Sequence, residues 1–131
     1  MDTHEQRVYR KLSSLTVGVL GLGDIGASIA RLFAVGFGAR VVGCRLRADT
    51  SPPSHVARQY AMDRLPDFLA ECDYLVSVLP STPLTRGLLD GRALEACRDR
   101  RPALINVGRG DLLGQETIIR ALDEGLSLIH I

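Results

Sequence analysis

The segment that most constrains this chain is a short apolar run, Thr16-Val17-Gly18-Val19-Leu20, which passes without a spacer into Gly21-Leu22-Gly23-Asp24-Ile25-Gly26. A run so apolar and so rich in β-branched residues reads as a strand buried on both faces. From Asp24 the apolar positions Ile25, Ile29, Leu32 and Phe33 recur at helical spacing until Gly36 and Gly38 close the segment, which places the glycines at a strand-to-helix turn. By itself Gly-x-Gly-x-x-Gly says little, but this context gives each glycine a task. Gly21 serves the tight turn, Gly23 leaves no Cβ between the backbone and a diphosphate, and Gly26 lets the helix pack closely on the strand. The open N–H groups at the start of the helix, including those of Asp24, Ile25 and Gly26, then suit a phosphate. The plainer alternative is a glycine-rich turn with no ligand.

The same alternation continues along the chain. Residues 40–44 read as a second strand, and the stretch 48–54, with Pro52 and Pro53, as a loop. Leu65, Phe68 and Leu69 form a short helical stripe, 74–79 a strand, and Pro80 and Pro83 mark the loop after it. Residues 88–97 read as helical, 103–107 as a strand, 108–114 as a glycine-rich turn, and 117–122 as part of a last helix. Strands alternating with helices at this spacing predict an α/β fold with a parallel, doubly wound sheet of the Rossmann nucleotide-binding type. There is no internal repeat and no low-complexity segment. Residues 1–15 are a polar leader, and 16–126 form the nucleotide-binding unit.

Composition narrows the partners. The 131 residues carry 16 basic and 15 acidic side chains, a formal net charge of +1, which offers no broad attraction to nucleic acid or an anionic membrane. No apolar stretch approaches the roughly 20 residues of a membrane span. The polar start is not a secretory signal. Cys44, Cys72 and Cys97 are odd in number and match no metal-ligand spacing, so no metal site is expected and a reducing, cytoplasmic setting is.

Cofactor preference is read where the second strand ends. A site for NAD usually carries an acid there, to accept from the ribose 2′-hydroxyl. This chain has Cys44-Arg45, with Arg47 nearby. A guanidinium suits a 2′-phosphate, which an acid would repel, so NADP is expected, with NAD possible. Asp49 is the residue that could reverse the preference, and both arginines could instead be solvated loop residues.

Three separated segments resemble one family. Residues 10–26, with Ser14 where a glycine is common, resemble the opening of the nucleotide-binding domain of the D-isomer-specific 2-hydroxyacid dehydrogenases. Leu79-Pro80-Ser81-Thr82-Pro83-Leu84-Thr85-Arg86-Gly87 is similar to that family's loop after the fourth strand, and Asn106-Val107-Gly108-Arg109-Gly110 to its Asn-x-x-Arg-Gly signature. The arginine after the second strand looks most like the NADPH-using glyoxylate and hydroxypyruvate reductases among them.

The resemblance implies hydride transfer between a nicotinamide cofactor and a small 2-keto or 2-hydroxy acid. Arg109 would anchor the substrate carboxylate and polarise its carbonyl, and Asn106 would hold the loop. The amides around Val107 and Gly108 would lie near the nicotinamide half of the cofactor, and Leu79, Pro80 and Thr85 would border the adenosine and diphosphate half. A homodimer formed through this domain is implied for the full-length protein, with residues 1–15 as the end of a preceding substrate domain. The family's general-acid histidine and its glutamate have no counterpart here, since His4, His55 and His130 fall elsewhere, so turnover by these residues alone is not expected. From Leu126 the family pattern stops. Residues 127–131, Ser-Leu-Ile-His-Ile, resemble the translation of a transposase-end adapter used for sequencing libraries, and are read as a non-native tail on a domain truncated at its C-terminus. The alternative function is a non-catalytic NAD(H)-binding protein, corepressor-like or a remnant.

Overall fold

The apolar runs become strands that pair in one direction. The computed structural model describes residues 12–47, 51–80, 82–108, 110–126 and 128–130. Six strands, β1 (Thr16–Leu20), β2 (Arg40–Arg45), β3 (Arg58–Ala61), β4 (Tyr74–Ser77), β5 (Ala103–Asn106) and β6 (Leu128–His130), form one sheet in the order β3-β2-β1-β4-β5-β6. Every pairing is parallel. The order reverses between β1 and β4, and such a switch point opens a crevice at the carboxyl ends of the strands.

Helices cover both faces, as a parallel sheet requires. Helix α1 (Asp24–Arg31) runs into a π-helical turn (Leu32–Gly36) before Gly38, at φ +67°, releases the chain toward β2. Ala30, Ile29 and Phe33 pack there against Val17, Val19 and Val41. Helix α2 (Leu65–Glu71) and helix α3 (Gln115–Asp123) contribute to the opposite face. There Phe68, Leu69 and Ala121 pack with Leu20, Val42, Leu75 and Leu104. Strand alternation explains the division, since Val19 and Leu20 point to opposite sides. At Gly18 a Cβ would stand 2.1 Å from Cys72 Sγ, so the end of α2 reaches the sheet over a position that carries no side chain.

Below the site, one acid ties the sheet together. Asp73, 9% exposed, accepts from the Thr16 N–H at 2.9 Å and from Arg100 Nη1 at 3.2 Å. On α2, burial pushes the Glu71 carboxyl up, but hydrogen bonds from Tyr60 and Arg40 outweigh it and hold Glu71 below its usual value.

The structure corrects the sequence reading in one element and adds two. Residues 88–97 are not one helix. They are turns followed by a 3-10 stretch (Ala93–Cys97), because Gly87 and Gly91 take φ +65° and +68°, which no helix accommodates. Strand β3, unforeseen, lies at one edge of the sheet. Strand β6, at the other edge, uses residues of the segment read as a tail. No described helix is long and apolar enough to cross a membrane.

Candidate nucleotide-binding site

The glycine turn sits at the switch point, and its three glycines differ. Gly21 turns the chain at φ +103° and donates its N–H to the Cys44 carbonyl at 2.9 Å. A Cβ on Gly26 would lie 1.9 Å from the Gly21 carbonyl oxygen, so α1 reaches the turn only because residue 26 has none. Gly23, the N-cap of α1, is the opposite case, since a Cβ there would meet nothing within 4 Å. Its bare backbone faces open space beside first-turn amides that no side chain caps. Asp24 and Ile25 are exposed in that turn.

Leu22, between these glycines, points inward. Its side chain lies over Gly43 of β2, where a Cβ would meet Leu22 Cδ1 at 2.4 Å, and it is only 4% exposed. Its carbonyl accepts from Arg45 Nη2 at 3.0 Å, while Arg45 Nη1 donates to Gln59 Oε1 of β3 at 3.3 Å. The guanidinium is thus held at the carboxyl end of β2, beside the glycine turn. Arg47 is exposed.

After β4 the chain passes through Leu79 and Pro80 into a loop tied by Thr85. The Thr85 hydroxyl donates to the Pro80 carbonyl at 2.6 Å and accepts from the Thr82 N–H at 2.9 Å. This loop, the glycine turn and the end of β2 enclose a cavity of about 570 Å³. Of the residues singled out from the sequence, Gly21, Gly23, Arg45, Leu79, Pro80 and Thr85 line it. Leu22, Leu46, Met62, Thr82, Pro83 and Leu84 line it too, and the sequence reading missed them as site residues. Leu46 and Leu84 are isolated apolar residues in loops, and Met62 follows the unforeseen β3. Position alone was the available signal, because Leu46 follows Arg45 and Leu84 lies within the proline loop.

The turn after β5 is built differently. The N–H groups of Val107 and Gly108 both donate to the Ser77 carbonyl, at 2.9 and 3.2 Å, and Gly108 also donates to Asn106 Oδ1 at 3.0 Å. These amides fasten the loop to β4, and Asn106 holds it. A Cβ on Gly108 would stand 2.5 Å from the Leu79 carbonyl oxygen, so the two loops touch through a glycine. The Val107 side chain is exposed. Arg109 lies outside the described residues, as do Asp49 and His4.

Nothing here suits a thiol nucleophile. Cys44, Cys72 and Cys97 are free and buried. Burial, with Asp63 nearby, pushes the Cys44 thiol up to about 12, burial raises Cys97 to about 11, and Cys72 is raised as well. A thiolate is therefore disfavoured at each. Among the described residues no group of three His, Cys, Asp or Glu side chains could hold a metal ion. His55 is exposed in the loop before β3.

A parallel sheet in this order, with a glycine turn and an open helix start at its switch point, defines a Rossmann-type nucleotide-binding domain. The family model for the NAD binding domain of D-isomer specific 2-hydroxyacid dehydrogenases matches residues 2–128, and the chain belongs to that family. It is 35% identical over 111 residues to glyoxylate/hydroxypyruvate reductase B of Yersinia pestis bv. Antiqua, covering 84% of this chain and 33% of that protein. A D-isomer specific 2-hydroxyacid dehydrogenase from Xanthobacter autotrophicus Py2, solved with NADPH and MES, superposes with a TM-score of 0.80 at 35% identity, over 95% of this chain and 52% of that one. An NADPH-dependent glyoxylate/hydroxypyruvate reductase from Sinorhizobium meliloti, solved with NADP and sulfate, gives 0.79 at 29% identity, over 95% and 41%. The chain spans about a third of the length of the curated relatives it matches.

Proposed function

We propose that this chain is the nucleotide-binding part of an NADPH-dependent reductase of small 2-keto acids, of which glyoxylate and hydroxypyruvate are the best candidates. The observation that carries the reading is the Arg45 guanidinium, fixed at the rim of the cavity where β2 ends. An acid at that place accepts from the ribose of NAD, whereas a guanidinium engages the additional phosphate of NADP. The Yersinia and Sinorhizobium relatives, both glyoxylate/hydroxypyruvate reductases by name, support the substrate class.

Each part of the site has a task in this reading. The Gly23 backbone and the first-turn amides of α1, those of Asp24, Ile25 and Gly26, would take the diphosphate. Arg45, with Arg47 close in sequence, would take the 2′-phosphate. Leu46, Met62 and Leu84 would give the adenine an apolar slot, bordered by Leu79, Pro80 and Thr85. Val107 and Gly108 would stand on the nicotinamide side. When bound, the nicotinamide supplies the hydride. Arg109 would pair with the carboxylate of the keto acid and draw charge onto its ketone oxygen. The family's general acid has no counterpart among these residues, so the 131-residue chain alone would bind nucleotide without turnover. The full-length protein would be a cytoplasmic homodimer, and the exposed Ile25, Leu32, Val35 and Phe37 supply an apolar surface on α1 and its continuation for the second protomer.

The test is a full-length chain rebuilt around these residues with the remaining segments of the Yersinia pestis relative. NADPH consumption with glyoxylate or hydroxypyruvate is expected. Bound NADPH with no turnover of any small 2-keto acid would leave a nucleotide-binding protein and remove the reductase.

A further inference from the structure

Cofactor choice in this reading depends above all on the Arg45 guanidinium, and its value depends on aim. An arginine at a strand end samples many rotamers, and a guanidinium that wanders binds a phosphate less well than one already at bonding distance. Two oxygens restrain Arg45 from opposite sides of β2. One is the Leu22 carbonyl, 3.0 Å from Nη2, in the glycine turn that follows β1. The other is Gln59 Oε1, 3.3 Å from Nη1, on β3.

The backbone explains why both are in reach. Gln59 stands in register opposite Gly43 of β2. Gly43 is also the position whose missing Cβ makes room for Leu22, at 2.4 Å. One glycine therefore seats Leu22 on one side and faces Gln59 across the strand pair on the other. Both oxygens are neutral, so these two bonds orient the guanidinium without cancelling its charge, as a carboxylate in place of the Gln59 amide would.

We propose that Gln59 is a positioning residue for cofactor choice: acting through Arg45, it sets the preference for a nucleotide phosphorylated at the ribose 2′ position, with the Leu22 carbonyl as the fixed half of the clamp. This rests on the nucleotide reading of the cavity given above. Gln59 does not line the cavity, and its bond to Arg45 Nη1 reaches a residue that does.

The experiment compares 2′,5′-ADP with 5′-ADP as calorimetric ligands for the 131-residue chain, in wild type, Gln59→Leu and Gln59→Glu, with thermal unfolding of each. Wild type favours 2′,5′-ADP. Gln59→Leu lowers that preference about 3- to 10-fold, the span that loss of one hydrogen bond gives, with 5′-ADP affinity and Tm unchanged. Gln59→Glu keeps the shape, adds a negative charge beside the phosphate, and lowers the preference more than about tenfold, an effect that shrinks as salt is added. Both variants discriminating like wild type would overturn the role of Gln59. So would equal weakening of both ligands, which would make Gln59 a structural part of the sheet edge. A wild type that binds the two ligands equally, or binds neither, would overturn instead the NADP reading beneath it.

Discussion

A single carbon atom separates the roles of Gly23 and Gly26. At Gly26 a Cβ collides with a backbone oxygen at 1.9 Å, whereas at Gly23 it enters open space. Gly26→Ala should therefore cost about 3 kcal/mol of stability, the upper end for forcing atoms into a packed site. Gly23→Ala should stay within about 1 kcal/mol, because φ −73° suits alanine. Its nucleotide affinity should nevertheless fall at least about tenfold, since the new methyl occupies the approach of the diphosphate. Thermal unfolding beside calorimetry separates the two effects, and unchanged affinity in Gly23→Ala would remove the phosphate from this turn. These glycines were legible in the sequence because each meets a constraint of its own. Leu22 and Gln59 were not, because their roles depend on Gly43 and Arg45, partners that only the strand register brings near.

Elements were legible where burial on both faces wrote them in apolar residues. Strands β1, β2, β4 and β5 fall within one or two residues of the expected bounds, and Leu65, Phe68 and Leu69 are all buried on α2. Strand β3 was invisible because, at the sheet edge, its Arg-Gln-Tyr-Ala buries only Tyr60. The helix expected at 88–97 had the opposite cause. Leu89, Leu94 and Cys97 are buried as a helical stripe would bury them, but left-handed Gly87 precedes them and left-handed Gly91 breaks the chain between Leu89 and Leu94. That broken stretch has a task in anchoring the start of α3. Asp90 Oδ1 accepts from the Gly114 N–H at 2.7 Å and from the Thr117 hydroxyl at 2.6 Å. Asp90→Ala should cost about 1–3 kcal/mol in denaturant unfolding, the range for donors left unpaired. Asp90→Asn, which keeps the acceptor oxygen, should cost less. Equal stability of Asp90→Ala and wild type would contradict the anchor.

Across the whole molecule, the sheet order β3-β2-β1-β4-β5-β6 gathers the glycine turn, Arg45 and the proline loop at the carboxyl ends of its central strands, although they are far apart in sequence. Burial of the thiols is a second property of the whole fold. With Cys44 pushed up to about 12 and Cys97 to about 11 from an ordinary 9.0, the folded chain keeps protons that the unfolded chain releases. Stability should be insensitive to these groups below pH 9 and fall as pH rises from 9 toward 11 and 12. Native thiols should resist alkylation until the chain opens. A Tm that stays level across that range, or rapid labelling at neutral pH, would contradict the burial.

The most direct test is calorimetric titration of the 131-residue chain with NADPH and with NADH, in wild type and in Arg45→Asp. A charge-assisted bond to the 2′-phosphate predicts that wild type binds NADPH at least about tenfold more tightly than NADH, and that Arg45→Asp reverses the order. NADH bound as tightly as NADPH by the wild type, or a preference that the substitution leaves unmoved, would contradict the assignment of Arg45 and with it the NADPH-dependent reductase.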